Sequence, residues 1–93
     1  KLFVNAKTEF EKLDATISID ASDVDNPVVN ISKAGHTLKL NGFTNNGSFD
    51  SSKVEFGGVI VLITKDGKTY NEKDIYIPND VITKFKNMLN PEK

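Results

Sequence analysis

The sequence predicts an α+β domain, a curved antiparallel sheet of about five strands packed against one C-terminal helix. Three observations predict it. Apolar residues alternate with polar ones at a period of two through the middle of the chain. Turn residues punctuate those segments. A single apolar stripe with helical period stands near the end, and strands followed by a helix argue for α+β layering. A chain of 93 residues is one domain, residues 1–93, with one modest core.

The elements follow in order. Leu2–Val4 reads as a short strand. Ala6, Phe10 and Leu13 fall on one helical face, with Asn5 placed to cap it. In "DATISIDA", Ala15, Ile17, Ile19 and Ala21 face one way and Thr16, Ser18 and Asp20 the other, a strand with one wet face. Ser22–Pro27 is turn chemistry, and Val28–Ser32 a second strand. Lys33–Gly35 turns the chain into a third, His36–Phe43, with Leu38 and Leu40 inward.

Thr44–Ser52 reads as a polar loop. "KVEFGGVIVLIT" is one long strand or two short ones, and paired Gly57-Gly58 suggests the bulge or bend that a curved sheet needs. Val59–Ile63 lacks polar alternation, which places it centrally with both faces covered. Asp66-Gly67 predicts a two-residue type I′ hairpin loop pairing Lys65 with Lys68, Thr64 with Thr69 and Ile63 with Tyr70. The return strand breaks at Asn71–Asp74 and resumes at Ile75–Ile77. After Pro78, with Asn79 or Asp80 as cap, Val81, Ile82, Phe85, Met88 and Leu89 form the helical stripe. The predicted core is Ile17, Ile19, Val29, Ile31, Leu38, Leu40, Val61, Ile63, Ile75, Ile77, Ile82, Phe85 and Leu89.

Composition excludes several functions. Without cysteine there are no disulfides and no thiolate metal sites. The longest apolar run, five residues, is far short of the roughly 20 that span a membrane as a helix. No signal peptide is visible, which favours the cytoplasm, although a chain starting at Lys1 also fits a secreted mature fragment. All 12 basic residues are lysine, and net charge is −1. Arginine is the usual bidentate reader of guanine and phosphate, so its absence disfavours base-specific recognition. The Lys-rich, Asn-rich usage is that of an AT-rich genome, such as a phage, mobile element or Gram-positive bacterium.

No catalytic constellation emerges, so the expectation is a protein that is not an enzyme and carries no cofactor. His36 opens a strand with no sequence feature aiming an acid or nucleophile at it, and reads as an exposed strand-end histidine. The acidic stretch from Asp20 to Asn26 misses the EF-hand pattern in both registers tested and reads as a solvated turn with Asx caps. The glycines match neither phosphate-binding motif. The candidate contact residues for a nucleic acid or other partner are Lys65, Lys68, Tyr70, Lys73 and Tyr76, around the hairpin. On a regular strand both tyrosines share a face with Glu72 and Asp74, so charge does not favour nucleic acid there.

The stretch "FGGVIVLITKDGKTYNEKDIYIPNDVITKFKNML" resembles in layout the positive-cofactor-four family of single-stranded-DNA-binding proteins. The matching positions are Gly58 with the strand Val59–Ile63, Lys73 with Ile75 and Ile77, and the helix Asp80–Leu89, about a third of the chain. The resemblance implies a sheet that binds DNA and a helix that dimerises. It departs where that family's strands are rich in Arg and Lys, because the strand here is apolar. The leading expectation is therefore a small interaction module acting through a protein partner or self-association. Single-stranded nucleic-acid binding is the alternative.

Overall fold

The computed structural model describes residues 2–23, 25–41, 46–55, 61–67 and 69–90. The elements run β1 (Phe3–Asn5), α1 (Ala6–Glu11), β2 (Thr16–Asp20), β3 (Val28–Lys33), β4 (His36–Asn41), β5 (Asn46–Phe49), β6 (Ser52–Glu55), β7 (Val61–Lys65), β8 (Thr69–Pro78) and α2 (Asn79–Leu89). The fold is α+β with an antiparallel five-stranded sheet and a C-terminal helix, as expected. The five strands are β2-β3-β4-β5-β6 in order, a meander. The expectation differs in membership. β7 and β8 leave that sheet and form a three-stranded one with β1, in the order β1-β8-β7.

Alternation builds the meander. Ile17 pairs with Ile31, and Ile31 with Leu38; Ile19 pairs with Val29, and Val29 with Leu40. Val29, Ile31, Leu38 and Leu40 are fully buried, while Ser18, Ser32 and Lys39 face water. The β3–β4 loop is Ala34-Gly35, with φ of 53° and 82° between paired Lys33 and His36. That is the type I′ geometry a two-residue hairpin requires.

The predicted polar loop at 44–52 is instead largely the β5–β6 hairpin, closed by Asp50-Ser51 at φ of 49° and 74°. Its sequence shows only one large apolar residue, Phe49, so alternation is silent. Phe49 supplies the anchorage, packing edge-on to Phe85 at 6.2 Å. Residues 44–45 of that prediction, residues 42–43 of the predicted third strand, and Gly57-Gly58 lie outside the described residues.

One core serves both sheets and both helices: Ala6, Phe10, Ala15, Ile17, Val29, Ile31, Leu38, Leu40, Leu62, Ile75, Ile77, Val81, Ile82 and Phe85. Ile19 and Leu89, expected inside, are half-buried at its margin. Leu62 is the β7 residue in the core, opposite Ile75. The side chains of Val61 and Ile63 lie outside the described residues. β7 is also not central. Among the described residues it is an edge, and β8 is the middle strand.

α1 forms with Asn5 accepting from the Thr8 N–H and Ala6 and Phe10 fully buried, but it ends at Glu11, so Leu13 lies beyond it, half-buried against the core. α2 begins one residue earlier than expected. Pro78 is its N-cap, and no side chain caps it. The Asn79 N–H donates instead to the Leu2 carbonyl at 2.8 Å, so β1 meets one of the helix's unsatisfied donors.

The β7–β8 hairpin forms around Asp66-Gly67, both at positive φ, but one residue out of the expected register. Lys65 pairs with Thr69 and Thr64 with Tyr70. Lys65 therefore stands opposite Thr69 rather than the expected Lys68, which lies outside the described residues. A one-residue shift moves a strand's side chains to the other face. Here it puts Tyr70 on the face that Leu62 shares with Ile75.

Candidate functional site

Of the five sequence-predicted residues, the side chains of Tyr70, Lys73 and Tyr76 are described, and the two tyrosines do not share one surface. The next pairs along β8 are Leu62 with Ile75 and Thr64 with Tyr70. Ile63 alone therefore faces the four residues Asn71–Asp74, a bulge with three extra residues. This bulge is the predicted break in the return strand. An odd insertion reverses side-chain alternation. Tyr70 packs against the core on the side of Ile75 and Ile77, and Tyr76, between those two residues, points to the opposite face. The two tyrosines cannot form one stacking platform. Lys73 is exposed at the bulge, and the side chains of Lys65 and Lys68 are outside the described residues.

The bulge is held from the N-terminal side. Asn5 Nδ2 donates to the Lys73 carbonyl at 2.8 Å, and the Lys73 N–H donates to Asn71 Oδ1 at 2.9 Å. Lys7 Nζ sits 2.9 Å from both Glu72 Oε1 and Glu11 Oε2, and those bonds, Glu72 first, raise its pKa. Asn5 thus caps α1 and clamps β8 at once. No local pattern announces the second role, because Lys73 is 68 residues away.

The bulge borders an open groove of about 340 Å³ lined by Ile19, Tyr70, Asn71 and Glu72. Its other wall is β2, which has no ladder partner on its outer side among the described residues. The β3–β4 loop sets which groups point outward. Lys33 and His36 flank a two-residue loop and bond each other. By alternation Val29 and Ile31 bond towards β4, and Val28, Asn30 and Ser32 bond towards β2. Their partners Thr16, Ser18 and Asp20 bond inward, so the backbone N–H and C=O groups of Ile17 and Ile19 point outward. β2 carries no lysine and no proline, and its sole charge is Asp20 at its end. The other edge of the meander, β6, carries Lys53 and Glu55. Asp20 Oδ1 accepts from the Ser22 hydroxyl at 2.6 Å and the Ser22 N–H at 3.1 Å. Those bonds lower its pKa and tie the acid into the turn, the Asx chemistry read from the sequence.

A second cluster gives the strand-end His36, still partly exposed at the start of β4, an acidic partner. Its Nδ1–H donates to Asp50 Oδ2 at 2.5 Å. The Thr37 N–H donates to Asp50 Oδ1 at 2.8 Å, and the Asp50 N–H to the Thr37 carbonyl at 2.9 Å. The His36 hydrogen bond, then that from Thr37, holds the Asp50 carboxyl below the usual carboxylate range. The imidazole stacks on Phe49 at 5.4 Å, Phe49 meets Phe85 edge-on, and Phe85 meets Phe10 at 5.3 Å. A carboxylate-oriented histidine is two-thirds of a nucleophilic triad. Among the described residues no hydroxyl is bonded to this ring, and the three bonds to Asp50 lock the β5–β6 turn against β4. The pair is a clamp between hairpins.

Among the described residues no three His, Cys, Asp or Glu side chains cluster as a metal site. Among the described residues no helix is long and apolar enough to cross a membrane. The chain matches no protein-family model, no curated protein and no solved structure.

Proposed function

We propose that the chain is a non-enzymatic interaction module that takes an extended polypeptide segment onto the outer edge of β2. The observation that carries this reading is the outward row of Ile17 and Ile19 backbone groups, which has no ladder partner among the described residues, beside an open groove. Strand addition supplies affinity through main-chain hydrogen bonds and specificity through neighbouring side-chain contacts. An edge without lysine, proline or a bulge is a template for it. Ile19 and Tyr70 give the groove apolar walls, while Asn71 and Glu72 give it polar ones.

Selection of linear peptides displayed on phage tests this reading, with an Ile19→Pro chain as the counter-target. Proline removes one outward N–H without touching the β2–β3 ladder. Extended, β-branched peptides that bind the wild type and not the variant support the reading. A selection whose binders are indifferent to Ile19→Pro overturns it. Single-stranded nucleic-acid binding, the alternative reading, needs aromatic faces side by side. Tyr70 and Tyr76 lend it no such pair, and titration of labelled oligo-dT at low salt with about 10 µM protein is its direct test.

A further inference from the structure

We infer that the strand received at β2 is the β2 of a second copy, paired antiparallel about a two-fold axis through Ser18. This rests on the edge reading above and names its partner. The register is chosen by which groups are free. A two-fold through Ser18 sets Ile17 opposite Ile19 of the second copy, and those are the residues whose N–H and C=O groups point outward. All four groups on each copy then find partners. A two-fold through Ile17 would call on the Ala15 N–H, which already donates to the Phe10 carbonyl at 3.0 Å. A two-fold through Ile19 would call on Ala21, which lies beyond the end of β2.

Charge selects the same register. With the axis at Ser18, Asp20 lies across from Thr16 of the second copy, an acceptor opposite a hydroxyl donor on the exposed face. Sliding the axis to Asp20 would oppose two carboxylates. The pairing is isologous, so it closes at two copies rather than growing into a filament. The two meanders join as one ten-stranded antiparallel sheet, twice the five strands of one copy.

The absence of cysteine makes the test clean. Ser18 bonds inward to β3, so Ser18 and its mate form a non-hydrogen-bonded pair, with Cα atoms about 4.5 Å apart. That separation lies within disulfide range. In a glutathione redox buffer, Ser18→Cys is expected to convert almost wholly to a disulfide-linked dimer. Ser32→Cys, exposed on the same face one strand inward, is expected to stay unlinked. Sedimentation equilibrium of the wild type from about 1 to about 200 µM is expected to show dimer. Ser18→Lys, with an unchanged circular dichroism spectrum, is expected to weaken it by about tenfold or more, because like charges then face each other on an edge.

A wild type with the mass of one chain throughout, or Ser18→Cys linking no faster than Ser32→Cys, overturns the proposal. If peptide binding sensitive to Ile19→Pro persists in that case, the edge reading stands and only the second copy is lost.

Discussion

Two glycines test the register of the meander, because they are needed for different reasons. A Cβ built on Gly47 would lie 1.9 Å from the Lys39 carbonyl oxygen and 3.0 Å from the Lys39 carbonyl carbon. Both are main-chain atoms of β4, so no side chain can swing aside. In Gly47→Ala, β5 must retreat by more than an ångström along a ladder holding Leu38–Phe49, Lys39–Ser48 and Leu40–Gly47. Losing two ladder bonds at about 1 kcal/mol each, plus overpacking of about 1–2 kcal/mol, gives a destabilisation of about 3–4 kcal/mol. Gly35 has nothing within 4 Å of its Cβ position but sits at φ 82°. Gly35→Ala therefore carries only left-handed strain, about 1 kcal/mol. Urea denaturation followed by circular dichroism measures both. A Gly47→Ala chain within about 0.5 kcal/mol of the wild type, or ranked below Gly35→Ala, would refute the β4–β5 pairing.

Other outcomes follow from the same structure. Phe85→Ala removes a fully buried ring and two edge-to-face contacts, and its denaturation midpoint should report a loss of about 4 kcal/mol. Asn5→Ala loses the α1 cap and the clamp on the Lys73 carbonyl, so stability should fall by about 2 kcal/mol. Amide exchange should accelerate at residues 71–74 in the same variant. Ala34→Asn places a residue tolerant of left-handed geometry at φ 53°, and the melting temperature should rise by a few degrees, for about 0.5–1 kcal/mol. Asp50 titrates below the usual carboxylate range when folded, so its stabilisation is complete above the unfolded value near pH 4 and disappears as pH falls through the folded value. Asp50→Asn should flatten the stability profile below about pH 4, and an acid limb identical to the wild type would exclude the clamp.

The sequence showed most where burial follows a simple period. β2, β3 and β4 alternate cleanly, and the α2 stripe of Val81, Ile82 and Phe85 repeats at helical spacing. β5 and β6 were illegible because "NGSF" and "SKVE" offer one large ring and one valine, too few to show a period. The bulge in β8 hid the true faces of Tyr70 and Tyr76, since counting by twos assumes an unbroken ladder. Asp50 reaches His36 across 14 residues only after the β4–β5 register is set, so no local spacing forecasts the pair. The open edge of β2 was equally hidden. It depends on β7 and β8 pairing with β1 rather than joining the meander.

The pairing of Phe3 with Pro78 gives the chain a built-in order of assembly. Each strand of the meander meets its neighbour across a short connection, so the loops that must close are small. β1 and β8 stand at opposite ends of the chain, and their contact encloses almost all of it, the largest closure entropy in the fold. The meander can therefore condense as soon as β6 is made, with its apolar face still bare. The three-stranded sheet and α2 arrive last and cover it. Slow folding and transient stickiness should trace to that interval, and changes in β8 or α2 should shift the folding rate less than the unfolding rate.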